Sequence, residues 1–318
     1  MPAVPNAAFT RFSWGVLAYN LAVILWGAFV RATGSGAGCG SHWPDCNGQI
    51  IPRADSIETA IEFTHRATSG LALIAVVVQL VWAFRVYPRG HRARAAVGAA
   101  TLFMFLEAAL GAGIVLLEYV ADDASVGRAG WMALHLVNTF LLVAALALTA
   151  WWSDDERARP ALDASGGVGW YVGVGLVGLL VTGMAGAVTA LGDTLFPAAS
   201  LAEGIAADLS PTAHFLVRLR VIHPIVATAT FLYLVMAAGL VSSARPAPRV
   251  RRAAIALVVI TTVQMVGGLV NLALLAPVWM QMVHLLLADL AWIALVLLGA
   301  SALATPQAVR AAQPAVAA

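Results

Sequence analysis

The stretch Ile61-Glu62-Phe63-Thr64-His65-Arg66-Ala67-Thr68-Ser69-Gly70-Leu71-Ala72-Leu73-Ile74-Ala75-Val76-Val77-Val78-Gln79-Leu80-Val81-Trp82-Ala83-Phe84-Arg85-Val86 decides how the rest of the chain is read. From Ala67 to Phe84 it carries no charge. A helix needs about 20 mostly apolar residues to cross a bilayer, and this run is long enough. Its polar residues Glu62, His65 and Arg66 gather at one end. Ionisable side chains inside a span are costly and point to function.

Seven more runs resemble it. The eight spans are read at Phe12–Val30, Ile61–Val86, Ala95–Tyr119, Trp131–Trp152, Val168–Leu191, Thr212–Ser242, Ala253–Leu275 and Val278–Leu303. Several are long enough to tilt or protrude. Of 318 residues, 61% are hydrophobic and 11% charged, against about 45–50% and about 25% in soluble domains. The mean hydropathy is +0.87. A soluble domain, a disordered chain and a basic nucleic-acid binder are excluded. The fold class is an all-α integral membrane protein.

A net charge of +2 hides an asymmetry. There is no lysine, and all 18 basic residues are arginine. With a cytoplasmic N-terminus, the inside segments hold Arg11, Arg85, Arg89, Arg92, Arg94, Arg157, Arg159, Arg245, Arg249, Arg251, Arg252 and Arg310. The outside loops hold Arg31, Arg53 and Arg128, while Arg66, Arg218 and Arg220 lie in spans near their outer ends. Positive charge collects on the cytoplasmic side, so both termini are expected there. The first span lacks a small-residue cleavage site and reads as an uncleaved helix rather than a signal peptide. Asp154-Asp155-Glu156 reads as a solvated loop and Thr305–Ala318 as a disordered tail. Trp residues near helix ends are interface anchors.

The chain repeats itself. Val30-Arg31-Ala32-Thr33-Gly34 after span one resembles Val188-Thr189-Ala190-Leu191-Gly192 after span five, at an offset of 158. The same offset carries His65 in span two to His223 in span six. Glu107 and Gly111 in span three answer Gln264 and Gly268 in span seven. His135 in span four answers His284 in span eight at an offset of 149, the loop before span four being longer than its counterpart. Two pseudo-symmetric four-helix halves follow, residues 1–152 and 168–304, joined by a cytoplasmic linker at 153–167. Each half has an even number of spans, so the pseudo-twofold axis runs along the membrane normal.

His65, His135, His223 and His284 all lie within roughly two turns of the outer helix ends, about 10 Å at 1.5 Å per residue. Neutral imidazoles on facing helices suit axial ligation of a haem iron. Interhelical hydrogen bonding is the plainer alternative. Zinc fits less well, because no carboxylate or cysteine completes a ligand set. The halves differ beside their histidines. Glu62 precedes His65 by three residues on one helical face, whereas Arg220 holds that place before His223. A carboxylate suits proton transfer or substrate positioning, and an arginine suits a haem propionate. Both also read as interface residues near the headgroups.

Cys39 and Cys46 stand in the first outer loop. A disulfide between them in an oxidising compartment reads as structural or redox-active. Gly34, Gly36, Gly38 and Gly40 make that loop flexible, and no strand precedes them to make a phosphate loop. Glu107, Gln264 and Asn271 either bond across helices or relay protons. Asn138 shares the face of His135, and Met280 is a weaker alternative ligand to His284. His42, His91 and His214 belong to loops and are not expected to be ligands.

Taken together, these residues make the chain similar to heme A synthase of the bacterial and mitochondrial assembly-factor type. The resemblance covers nearly the whole chain: eight spans in two halves and a histidine on each even-numbered span. It includes Arg31-Ala32-Thr33-Gly34-Ser35-Gly36, the pair Cys39 and Cys46, Glu62-Phe63-Thr64-His65-Arg66, and His223-Pro224. It implies that a ring methyl of heme O is oxidised to a formyl group, giving heme A for terminal oxidases through successive hydroxylations and loss of water. It implies a resident heme b on His223 and His284. It places His65 and His135 around the substrate heme O, with Glu62 required for turnover. Cys39 and Cys46 would form a disulfide, and Arg66 would steer propionates or face headgroups. The implied partners are a heme O synthase as substrate donor, an electron donor that the sequence does not name, and membrane lipid. A homo-oligomer is compatible with the sequence. If both His65 and His135 ligate the substrate iron, no position is left for oxygen, so one leaves or oxygen is activated elsewhere.

Two other classes compete. A diheme b-type electron carrier would also need histidine pairs, but at two depths, and Glu62 would then have no role. A parallel-repeat transporter would need a midplane substrate site and no haem.

Overall fold

The computed structural model describes residues 6–53, 56–154 and 167–304. Eight helices are long and apolar enough to cross a membrane, and the protein is an all-helical multi-pass membrane protein. They are α1 (Ala7–Ala32), α2 (Ile57–Val86), α3 (Arg92–Leu116), α4 (Val126–Asp154), α5 (Val168–Leu195), α7 (Phe215–Ala244), α8 (Pro248–Ala273) and α9 (Val278–Ala302). A short helix, α6 (Leu201–Asp208), joins α5 to α7. Most of the linker expected at 153–167, with Asp155, Glu156, Arg157 and Arg159, lies outside the described residues. So do the tail at 305–318 and its Arg310.

Local chemistry sets the helix starts. Asn6 accepts the Phe9 N–H at 3.0 Å and caps α1, and Ser56 caps α2 through the Thr59 N–H at 3.2 Å. Pro248 opens α8, where a missing N–H costs nothing. Caps of this kind satisfy the first free amides of a helix. Most spans therefore begin or end a few residues beyond the expected limits, since polar capping residues continue helices that apolar runs only outline.

α7 departs more. It passes through a 3-10 turn at Leu219–Val221 before the regular helix resumes at Ile222. Pro224 explains this: without an N–H it cannot bond the carbonyl of residue 220, so it fits a first turn but not a helix interior.

In the first half α1, α2, α3 and α4 pack in a ring, and in the second α5, α7, α8 and α9 do the same. The halves meet where α4 and α9 pack on each other and on α1 and α5. α4 and α9 are accordingly the most buried spans. Their seam holds Phe140, Leu142, Leu146, Trp292, Ile293 and Val296. The Trp292 indole N–H donates to the Phe140 carbonyl at 2.6 Å, and the two rings stack at 5.1 Å. Elsewhere the outward faces are apolar, as a lipid-facing surface requires.

Candidate functional site

All four histidines line one cavity of about 1740 Å³ that extends through both halves. Ligand pockets usually hold about 300–1,000 Å³, so this one has room for more than one large ligand.

In the second half the rings of His223 and His284 stand 6.3 Å apart, centre to centre, at 89°. His223 Nδ1 lies 3.2 Å from the Thr182 carbonyl. Donation there leaves Nε2 with the lone pair, the usual way a ligating imidazole is oriented. His284 Nε2 lies 3.3 Å from Gln264 Nε2. A Cβ on Gly186 would stand 3.0 Å from His223 Cε1, and one on Gly268 3.0 Å from His284 Cε1. Each ring thus occupies space that a neighbouring glycine leaves open.

The first half repeats the plan. A Cβ on Gly27 would stand 2.8 Å from His65 Cε1. His135 Nδ1 is 3.6 Å from Glu107 Oε1. Glu107 accepts hydrogen bonds from Asn138 Nδ2 at 2.6 Å and Thr139 Oγ1 at 2.5 Å. The Nδ1 atoms of His65, His135 and His284 are buried without a hydrogen bond among the described residues. Among the described residues, interhelical hydrogen bonds therefore engage one nitrogen each of His223 and His284 and leave the Nδ1 atoms of His65 and His135 unmet. Paired imidazoles beside glycine-cleared space in a wide, mostly apolar cavity are a donor set that fits a haem iron in each half.

Glu62 is buried at 3% exposure. One carboxylate oxygen accepts the Cys39 backbone N–H at 2.8 Å. The other accepts Arg66 Nε at 3.2 Å and Nη2 at 2.5 Å. Arg66 Nη1 in turn donates to the carbonyls of His42 at 2.6 Å and Asp45 at 2.5 Å. Cys39 and Cys46 are joined in a disulfide, so the Glu62–Arg66 pair binds the disulfide loop to α2 beside His65. Thr59 Oγ1 adds a bond to the Gly38 carbonyl at 2.6 Å. Gly38 is packed so closely on the backbone of Glu58 and Thr59 that a Cβ there would collide with it.

Arg220 has carboxylate partners from the chain itself. Its Nη1 meets Asp193 at 3.2 Å and its Nη2 meets Asp208 at 2.8 Å. The pair with Asp208 fastens α6 over the cavity. Arg31 crosses between the halves: it donates to the Ala190 carbonyl, Thr194 Oγ1 and Gln281 Oε1, each at 2.7 Å.

The structure thus brings His65 and His135 to the first half of the cavity with Glu62, and His223 and His284 to the second. Gln264 and Glu107 bond across helices, and Asn138 is spent on α3, donating also to the Phe103 carbonyl at 2.9 Å. Asn271 lines the cavity, and Met280 packs near Gly267. His91 accepts the Ala93 N–H at 3.1 Å and His214 the Leu216 N–H at 3.3 Å, so both cap helices; His42 lies beside Asp45. Sequence reasoning missed Gly27 and Gly186, whose separation of 159 nearly equals the repeat offset. It also missed the crossing role of Arg31 and the lone carboxyl of Asp289.

Residues 10–296 match the family described as Cytochrome oxidase assembly protein (COX15-CtaA). The chain is 52% identical over 292 residues to a Thermus thermophilus protein named Protoheme IX farnesyltransferase, covering 92% of this chain and 48% of that one. It is 35% identical over 154 residues to a Heme A synthase of Alkalihalophilus pseudofirmus, 48% of this chain and 49% of that one. It is 33% identical over 150 residues to a Heme A synthase of Halalkalibacterium halodurans, 47% and 48% respectively. The chain spans about half the length of these curated relatives.

Proposed function

Because the chain belongs to the cytochrome oxidase assembly protein family, we propose that it is a heme A synthase, an oxidoreductase that converts a ring methyl of heme O to the formyl group of heme A. The observation that carries this reading is an asymmetry within one cavity. Both halves offer a histidine pair, and only the first sets a buried carboxylate, Glu62, one turn before its histidine. The relatives named Heme A synthase support it.

His223 and His284 would hold a resident heme b, which supplies one-electron redox chemistry when bound. His223 is oriented for this by the Thr182 carbonyl. His65 and His135 would flank the heme O substrate. Glu62 would accept and return protons at its carboxylate oxygens, held in place by Arg66 and the Cys39 N–H. General acid–base groups of this kind contribute typically about 10²–10⁴-fold. Arg220, met by Asp193 and Asp208, would shape the second-half site chiefly by holding α6, and any propionate contact would share its guanidinium with them. The arginine distribution supports a multi-pass protein of the cell membrane with cytoplasmic termini and the histidines toward the outer face. The name of the Thermus relative supports heme O synthase as the source of substrate.

Membranes containing the protein, given heme O, air and reducing equivalents, test the reading. Conversion of heme O to a hydroxylated or formyl product is expected. A parallel arm with protoheme IX and farnesyl diphosphate tests the activity in the Thermus relative's name. Farnesylation there, with heme O left untouched, would overturn the assignment.

A further inference from the structure

Trp43 has no part in the scheme so far, although the outer loop of the first half is fastened on every side of it. It lies between Cys39 and Cys46, which the disulfide joins. Arg66 Nη1 donates to the carbonyls of His42 and Asp45, one on each side of Trp43-Pro44, at 2.6 Å and 2.5 Å. The Cys39 N–H meets Glu62 at 2.8 Å, and Thr59 Oγ1 donates to the Gly38 carbonyl at 2.6 Å. Asn47 Nδ2 donates to the same carbonyl at 3.1 Å.

Holding this loop still is costly. Residues 34–40 include four glycines, and glycine loses more freedom on ordering than any other residue. Fixing a backbone costs about 1–2 kcal/mol per residue. The large side chain that these bonds fix in place is Trp43. Trp43 and Pro44 line the cavity together with His65, Arg66 and His135. Yet Trp43 keeps 43% exposure, so part of its ring stands uncovered at the cavity mouth. Covering an indole is strongly favourable. A ring already fixed in position binds a ligand without a further ordering cost.

The second half has no counterpart. There Arg220 takes the place of Glu62 and holds α6 through Asp208 at 2.8 Å. The segment between α5 and α7 lines the cavity with Leu201, Ile205 and Leu209 and with no aromatic ring. The aromatic contact thus belongs to the half that would exchange its ligand, and the aliphatic one to the half that would keep it. We propose that Trp43 is a substrate-contacting residue, whose indole packs against the outer rim of a tetrapyrrole held between His65 and His135, with Arg66 fixing the indole in place. This deepens the haem reading of the first half and rests on it. No covalent bond changes at Trp43.

The test is ¹⁹F NMR of the full-length protein in lipid nanodiscs, labelled with 5-fluorotryptophan. The probe is zinc protoporphyrin IX, which is diamagnetic and whose ring current shifts nuclei near its rim. The Trp43 resonance is the one missing from Trp43→Phe. It should move as the probe is added, in step with a change in the visible spectrum that His65→Ala abolishes. Trp43→Ala should weaken binding of the probe about tenfold, and Trp43→Phe should keep most of it. If Trp43→Ala does not fold, the resonance in the unmutated protein gives the answer. A His65-dependent spectral change with an unmoved Trp43 resonance would overturn the proposal and leave the haem reading standing. Absence of any His65-dependent spectral change would overturn both.

Discussion

Glu62 Oε2 accepts the backbone N–H of Cys39 at 2.8 Å, so the carboxylate one turn before His65 is held by the same loop that the Cys39–Cys46 disulfide closes. Arg66 completes the arrangement from the other side, spanning Glu62 and the carbonyls of His42 and Asp45. The family resemblance implies that Arg66 steers substrate propionates or faces headgroups; Arg66 lines the cavity and also holds the loop.

Arg66→Leu should therefore uncouple loop and carboxylate. It removes two bonds to Glu62 and both bonds to the loop, leaving Glu62 with the Cys39 N–H. Turnover of heme O is expected to fall by about 10²-fold, at the lower end of what a general acid or base contributes. The absorbance of haem retained by the second half should not change. Product rate and the visible spectrum of one purified sample check both statements.

The histidine pairs should separate by function. His223→Ala or His284→Ala is expected to strip the haem that survives purification. His65→Ala or His135→Ala should keep that haem and abolish conversion. Haem content per protein, read by pyridine haemochrome, distinguishes this from a scheme in which all four histidines serve one equivalent pair of permanent haems.

Gly186→Leu should mimic loss of His223. Even a Cβ at that position would stand 3.0 Å from the ring, and a larger side chain must displace it from the Thr182 carbonyl. Haem retention is expected to fall severalfold while the folded fraction, read by size-exclusion chromatography, holds. Gly27→Leu should leave retained haem alone and block conversion, because it displaces His65.

Arg220→Leu leaves Asp193 and Asp208 without their shared cation. Removing one member of a buried ion pair costs about 3–5 kcal/mol. Here the carboxylate side chains keep 23% and 17% exposure, so about 2–3 kcal/mol of lost stability is the expected loss on the same grounds. Denaturant unfolding in micelles measures it. Asp193→Asn with Asp208→Asn in the Arg220→Leu background should recover part of it, which loss of a propionate contact alone would not predict.

Much of this architecture is legible in the chain. Apolar runs mark eight spans because lipid allows few other solutions. The 158-residue offset carries His65 to His223, and in the structure each ring lies against a glycine of the preceding long helix, Gly27 and Gly186. What the sequence hides depends on contacts between distant segments. Arg31 reads as an outer-loop charge, but it reaches Gln281 across the seam. Arg220 reads as a cation awaiting an anion, yet Asp193 and Asp208 come from separate segments to meet it. α6 is too short to announce itself by periodicity. Asp289 is one acidic residue in an apolar run, and only the packing around Trp292 reveals where it sits.

The most direct measurement is chromatography with mass spectrometry of the haems extracted from cells that make this protein together with a heme O source. Cells making the Glu62→Ala protein are run alongside. Heme A or its hydroxylated precursor should appear with the unmutated protein and be absent with Glu62→Ala. Heme O left intact in both, with only heme B bound to the purified protein, would contradict the account and favour a diheme electron carrier.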